Sequence, residues 1–221
     1  MRPSLTFFEA GGFWFLKRLT GVQVHRIYEL RAEDAPDERQ ADRVSGLNQI
    51  VLRHPDEFRA LPTDQAQSIA GHTGRAPQRI LGEGGQIHAL RSEERIASQL
   101  NIQFARFDVS TPIPLNVSLP QSAFFVSFLY TPELDRGKGY ARFLVRKACA
   151  SLFDAGYRRA YCHIRSTNVA SRRAFRRAGW RPVALILTTT KGGFLGTPGA
   201  GRRGLEIRAV SVASDASGPT P

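Results

Sequence analysis

Between Ala123 and Trp180 the spacing of hydrophobic positions changes period from one stretch to the next, and each change predicts a new element. Ala123-Phe124-Phe125-Val126-Ser127-Phe128-Leu129-Tyr130 is an almost unbroken apolar run of strand length. From Tyr140 the spacing turns helical. Tyr140, Leu144, Ala148 and Leu152 recur every four residues, and Phe143, Val145, Cys149 and Phe153 widen the apolar face. Gly156 is the expected stop. A second strand is predicted over Ala160–Arg165 and a second helix over Asn168–Ala178, closed by Gly179.

Elsewhere the pattern is coarser. Val22–Leu30 alternates as a strand does, through Val22, Val24, Ile27, Tyr28 and Leu30. Residues 5–16 are apolar and aromatic, whereas 31–43 are polar and charged, as an exposed loop or fraying helix would be. Pro62 and Gly71 frame a short helix over Gln65–Ala70, broken by Gly74–Pro77. From Ile80 onward strands are expected. Gly82–Gly85 turns the chain into Gln86–Arg91, Ile96–Val109 is strand-like, and Pro112 and Pro114 interrupt before Leu115–Leu119. An antiparallel meander leading into the Ala123 strand accommodates these breaks. After Trp180, Val183–Thr190 and Gly204–Val210 are strand-like. The glycine-rich stretch Lys191–Arg203 between them reads as a functional or disordered loop. Residues 211–221 read as a disordered tail, and there is no internal repeat.

Composition adds one asymmetry. The 221 residues carry a net charge of +12, very unevenly placed. Residues 1–135 hold 14 Lys/Arg against 16 Asp/Glu, whereas residues 136–208 hold 17 Lys/Arg against only Asp154 and Glu206, a net of +15. Such a field attracts an anionic ligand, although a solvated basic face of an arginine-rich chain gives the same count. The two cysteines, Cys149 and Cys162, fall in predicted core elements without metal-ligand spacing, and read as buried thiols in a reducing compartment. No apolar run approaches the ~20 residues of a membrane span, so no metal and no membrane partner is expected, and the cytoplasm is the default location.

Chemistry concentrates at the first strand-to-helix junction, Arg136-Gly137-Lys138-Gly139-Tyr140-Ala141. Glycines let the backbone turn sharply and approach a ligand. The helix that follows presents unpaired N–H groups and partial positive charge, a natural phosphate site, and Arg136, Lys138 and Arg142 add full charges. An ordinary tight connection has the same appearance. Neither G-x-x-x-x-G-K-[ST] nor G-x-G-x-x-G is present.

What is present resembles the GNAT superfamily of N-acetyltransferases. Arg136-x-x-Gly139-x-Ala141 is similar to their acyl-CoA pyrophosphate loop, and Asn168, Ser171, Phe175, Gly179 and Trp180 reproduce their second signature, N-x-x-[SA]-x-x-x-[YF]-x-x-x-G-[FW]. The clear resemblance covers about residues 123–181. It implies an α/β (mixed α+β) GNAT-like fold, a central mostly antiparallel sheet splayed at the cofactor site with helices on both faces. Residues 1–210 would form a single domain, with a divergent part over 1–80, whose helices would wall the acceptor site, and a cofactor-binding core over 123–181. The implied co-substrate is acetyl-CoA. Its pyrophosphate would lie on Arg136, Gly137, Lys138, Gly139, Tyr140 and Ala141. Its pantetheine arm would lie beside Phe128, Leu129 and Tyr130, with Asn168, Ser171 and Phe175 across from it. Asn168 also suits a helix N-cap, and the two roles are compatible.

Amine attack on a thioester needs a proton acceptor and benefits from an acid for the departing thiolate. Many members of the superfamily supply that acid as a Tyr where this chain has Phe175, so the resemblance does not extend to it. Tyr130 and Tyr161 are the weaker candidates. His163 stands five residues before Asn168, where ribosomal-protein alanine N-acetyltransferases of the superfamily carry a glutamate base, and an imidazole suits the task. A hydrogen-bonded core histidine is the plainer alternative. Strand alternation sets Tyr161, His163 and Arg165 opposite Ala160, Cys162 and Ile164. On the second helix, Arg172/Arg176 and Arg173/Arg177 form two i,i+4 rows that read as a solvated face in preference to a nucleic-acid stripe.

The expected activity is transfer of an acetyl group from acetyl-CoA to a primary amine in a ternary complex. The acceptor would be a small molecule or a peptide, with a nucleic acid disfavoured and a homodimer compatible. An inert CoA-binding or RNA-associated module, or a transferase using a longer acyl donor, are the rivals. Amino sugar, polyamine, amino acid, antibiotic and protein N-terminus all stay open as acceptors.

Overall fold

A computed structural model of the chain describes residues 12, 18–36, 46–92 and 95–210. The apolar run at 5–16 (Gly12 apart), the charged stretch at 37–43 and the tail at 211–221 lie outside them. In chain order the elements are β1 (Val22–Arg31), β2 (Asn48–Leu52), α1 (Pro55–Arg59), α2 (Thr63–Ala70), α3 (Pro77–Gly82), β3 (Gln86–Arg91), β4 (Ile96–Phe104), β5 (Arg106–Val109) and β6 (Leu115–Ser118). Then follow β7 (Ala123–Tyr130), α4 (Tyr140–Asp154), β8 (Arg159–Arg165), α5 (Val169–Arg177), β9 (Arg181–Thr189), β10 (Phe194–Gly196) and β11 (Glu206–Ala209).

Eight strands form the main sheet in the order β10-β9-β1-β8-β7-β4-β3-β2, and β11-β6-β5 make a small second sheet. Every pairing is antiparallel except β7 with β8. That exception follows from α4, a crossover helix that brings the chain back to start β8 beside the start of β7. The apolar stripe read from the sequence is what α4 buries: Leu144, Val145, Ala148, Cys149 and Leu152 pack on Leu100, Ile102, Phe124, Val126 and Cys162, joined by Phe175 of α5 and by Trp180. The opposite face is covered twice. Helices α1–α3 cover one end through Phe58, Ile69, Ile80 and Leu81. The small sheet covers the other, through Phe107, Leu115, Val117 and Ile207 on Ile27, Phe125 and Tyr161.

Three sequence expectations are corrected. The reading of strands from Ile80 onward misses α3, which opens at Pro77, a residue suited to the first helical turn, and buries Ile80 and Leu81. Ile96–Val109 is two strands, because Ala105 takes a left-handed φ of 51° and sends β5 into the second sheet. Of the two readings of the glycine-rich stretch, functional or disordered, the second is set aside, because the stretch is an ordered connection. Phe194 and Gly196 pair with Thr188 and Leu187, Leu185 N–H donates to Pro198 C=O at 3.1 Å, and Ala200 and Leu205 are buried in the second core.

One close approach ties the helical cover to β7. Gly74, between α2 and α3, has a φ of +70°, and a Cβ built there would lie 1.9 Å from the Phe128 ring. Left-handed backbone costs an L-residue ~1–2 kcal/mol, and the overlap adds to it. Gly74→Ala should therefore destabilise by more than ~2 kcal/mol in urea unfolding. Gly71→Ala is the control: its φ is −63° and its nearest neighbour 3.5 Å away, so it should be neutral or slightly stabilising. Equal effects at the two positions would refute this account of Gly74.

Candidate active site

β7 and β8 begin as neighbours and then part. Their parallel register is Ala123↔Arg159, Phe124↔Ala160 and Phe125↔Tyr161, and it ends there. Beyond Phe125, β7 is bent by a bulge. Its residues Ser127–Tyr130 oppose the shorter span Gln99–Asn101 of β4, and Phe128 takes a φ of 50°. The edge of β7 that faces β8 is thus left without a ladder partner from Val126 on, and a groove opens along it.

The groove has two chambers. The inner one, about 410 Å³, lies between the diverging strands and includes Phe128, Leu129, His25, His163, Arg165 and Thr111 in its wall. The outer one, about 620 Å³, lies over the β7–α4 loop and includes Tyr130, Arg136, Gly137, Gly139, Tyr140 and Ala141. Leu129, Asn168, Ser171 and Phe175 line both, so the two chambers lie side by side along the groove.

At the outer chamber, Gly137 and Gly139 adopt φ values of 81° and 83°, a conformation that favours glycine. Gly139 is the N-cap of the 15-residue α4 and offers no side-chain cap, so the first N–H groups of that helix stand open at the chamber. The loop is held from behind. Asp135 is buried and ion-paired with Arg95, whose Nη2 lies 3.0 Å away, and with Lys138 Nζ at 2.9 Å. The Arg95 guanidinium, with help from Lys138, holds the Asp135 carboxyl below the usual carboxylate range. Ser98 Oγ donates to Tyr130 C=O at 3.0 Å and lies 2.9 Å from Thr131 Oγ1. Lys138 therefore braces the loop and does not line the chamber, unlike its neighbours.

At the inner chamber, β8 places its residues as the alternation predicts. His163 and Arg165 share a face, and the register pairs Ile27 with His163 and His25 with Arg165. His163 keeps partial exposure in the wall, and burial pushes its imidazole down to about 4. His25, which the sequence reading passed over, is 1% exposed and lines the same chamber. Neither of its ring nitrogens has a hydrogen-bond partner among the described residues. Burial, with the neighbouring His163 and Arg165, pushes its pKa to about 3. The two rings lie 5.6 Å apart. The signal for His25 in the sequence is a polar residue interrupting an apolar strand, and it tells nothing of the chamber because the strand that faces it is distant in the chain.

Tyr161 does not reach the groove. Its hydroxyl donates to Glu29 Oε1 at 2.9 Å inside the second core, and burial pushes its pKa up to about 12. Tyr130 lines the outer chamber with its ring stacked on His72 at 3.5 Å. Asn168 is the N-cap of α5, its Oδ1 accepting from Ser171 N–H at 3.1 Å, as expected of a cap. Phe175 is buried, edge-on to Trp180 with ring centroids 5.1 Å apart. The basic face of α5 needs a correction. Arg172 is fully buried and donates from Nη1 to Ser166 C=O at 2.7 Å, fastening the turn that leads into α5. Cys162 lines the inner chamber, and burial pushes its thiol well above the ordinary value, while Ser127 Oγ donates to Gln103 Oε1 at 3.1 Å.

A mostly antiparallel sheet with one splayed parallel pair, opened over a glycine-bearing helix start, is the architecture of the GNAT acetyltransferases. Residues 101–180 match the model of the Acetyltransferase (GNAT) family, which bears out the resemblance carried by the two motifs. Among solved structures the chain is similar to a GCN5-related N-acetyltransferase from Sphaerobacter thermophilus, with a TM-score of 0.52 at 14% identity over 82% of this chain and 57% of that one. It is likewise similar to a GCN5-related N-acetyltransferase from Kribbella flavida, with a TM-score of 0.51 at 16% identity over 88% and 67%. A GNAT-family structure from Novosphingobium aromaticivorans gives a TM-score of 0.50 at 16% identity over 75% of this chain and 62% of that one. The chain thus spans about three fifths of the length of such structures. No curated protein matches it. Among the described residues no cluster of His, Cys, Asp and Glu is arranged to hold a metal, and no helix is long and apolar enough to cross a membrane.

Acid should loosen the fold through its buried histidines. His25, His163 and His88 have folded pKa values of about 3, 4 and 4, against ~6.5 in an unfolded chain. Their contribution is complete above pH ~6.5, and it is lost as pH falls toward 4 because the unfolded chain takes up protons that the folded one refuses. Urea unfolding free energy should therefore drop steadily from pH 7 to pH 4.5, and His88→Gln, far from the groove, should flatten that slope. A flat profile in the parent protein would contradict the burial of these rings.

Proposed function

We propose that the protein transfers an acetyl group from acetyl-CoA to a primary amine by direct attack within the groove. The observation that carries this reading is the groove whose adjoining chambers set an open helix N-terminus beside the unpaired edge of β7. The residues present fit the co-substrate. Gly137 and Gly139 leave the space before α4 clear, since a Cβ at Gly137 would meet nothing within 4 Å and one at Gly139 only Arg142 Nη2 at 3.9 Å. Arg136 and the α4 N–H groups would hold the pyrophosphate, the β7 edge from Phe128 to Tyr130 would receive the pantetheine amides, and Asn168 would add its Nδ2, which the cap does not use. Acetyl-CoA supplies the acyl group as an activated thioester.

The chain's own residues would then set the protons. His163 is neutral near pH 7, so its lone pair is open to a proton even though burial makes it a weaker base than an ordinary imidazole, and it stands in the inner chamber, where the amine would arrive. Cys162, held as a thiol by burial, and Ser127, committed to Gln103, are poor nucleophiles, which supports direct transfer over an acyl-enzyme. Thiol release from acetyl-CoA should accordingly depend on added amine, with no burst in its absence. A stoichiometric burst would refute the direct route.

Two substitutions probe the halves separately. Gly139→Val should weaken CoA binding at least tenfold by calorimetry, because a branched side chain at that φ displaces the helix start and fills the approach. Unchanged affinity in a folded variant would remove the loop from the site. His163→Ala should lower kcat at least tenfold, toward the ~10²–10⁴-fold typical of a general base, with CoA affinity nearly unchanged. Burial moves the expected acidic limb of the kcat/KM profile well below the ~6.5 of an ordinary histidine, toward 4. Activity per folded molecule retained in His163→Ala would reduce the residue to a packing role.

A further inference from the structure

The inner chamber carries information about the acceptor beyond the presence of an amine. Among the described residues its wall contains no Asp and no Glu, and its one charged side chain is Arg165. Arg165 ends β8 at the exposed mouth and makes no ion pair with any described residue. Deeper in, His25 is buried with both ring nitrogens unpartnered, and His163 stands 5.6 Å from it. Leaving a buried polar group unpaired costs ~1–3 kcal/mol, and the ring borders the chamber, so a ligand that reaches it would relieve that cost.

Each acceptor class needs a different wall. A polyamine or an amino sugar with several ammonium groups needs carboxylates, and the chamber offers none. Residues 136–208, which supply the other side of the chamber from β7, carry a net +15 that would repel such a ligand. A guanidinium at the mouth suits the planar fork of a carboxylate. Two neutral imidazoles below it offer both a donor and an acceptor, which suits an amine that must give up a proton. A chamber of about 410 Å³, shared with the acyl end of the donor, leaves room for a small molecule.

We infer that the acceptor is a small primary amine that also carries a carboxylate, an amino acid or its close relative, with the carboxylate on Arg165 at the mouth of the inner chamber and the amine directed toward His25 and His163. This rests on the transferase reading for the identity of the chamber as an acceptor site, but its charge argument stands on the wall alone.

The test compares each common L-amino acid with its own carboxamide, beside spermidine and kanamycin. Equilibrium binding is measured by calorimetry with and without coenzyme A, and thiol release from acetyl-CoA is measured in parallel. At least one amino acid should bind tenfold or more tightly than its amide and more tightly than either polycation. In Arg165→Gln the acid and the amide should bind alike, and Arg165→Lys should keep part of the preference. An amide that binds as well as its acid across the panel, or a polycation that binds best, overturns the inference. Should the acid preference hold in binding while no amine releases thiol, the transferase reading falls and the carboxylate site stands.

Discussion

Everything at the groove depends on a parallel ladder that stops after three residue pairs. Had β7 and β8 stayed paired to Tyr130 and Arg165, the β7 edge would be consumed by its neighbour and the two histidine-bearing strands would lie closed under it. The bulge at Phe128 prevents this, and it is enforced from outside the strand. Gly74 lets the α2–α3 connection close on the Phe128 ring, and Asn101 Nδ2 donates to Thr73 C=O at 2.9 Å, clamping that connection to β4. A non-glycine residue at positive φ is strained. Here the strain sits where the strand must turn its backbone toward a ligand.

Fixed dipoles and several guanidinium groups face the groove together, while other charges are tied up at the loop. Asp135 is buried under the loop and consumes Arg95 and the lysine of the motif. Toward the outer chamber stand the α4 terminus and the side chains of Arg136, Arg142 and Arg177. Inside, burial keeps His25 and His163 neutral, and Arg165 is the one charged side chain of the wall. On the proposed reading, N–H groups at one end would meet the polyanion and neutral imidazoles at the other would meet the amine.

The elements at the cofactor end were legible because local rules decide them. Glycines with positive φ, an apolar stripe of period 3.6 and an Asn N-cap locate β7, α4, β8 and α5 to within a residue or two. Where pairing partners are far apart in the chain, periodicity was silent. Nothing in Leu115–Leu119 or Gly204–Val210 announces that they join β5 in a separate sheet, since that depends on the turn at Ala105. Burial of charge was the other blind spot. Arg172 was counted with a solvated row, although it lies four residues after Asn168 and three before Phe175, on the same inner face. Tyr161 was placed on the correct face of β8, but that face meets Glu29 and the second core there. The groove begins only two residues further on.

The absence of a tyrosine at Phe175 then takes on a definite meaning. The ring is buried against Trp180 and lines both chambers, so it shapes the passage between them and has no proton to give. On the proposed reading, a departing thiolate near pKa ~8.5 would form in the inner chamber, at the far end of the pantetheine arm from α4, and would leave unprotonated or take its proton from water. Tyr130, the hydroxyl nearest in sequence to the β7 edge, has its ring stacked on His72 and lines the outer chamber rather than the inner one. On that reading the titratable groups of the groove serve the amine side and no side chain serves the thiol. His163 and His25, rather than a tyrosine, would then be the groups whose protonation governs the chemistry.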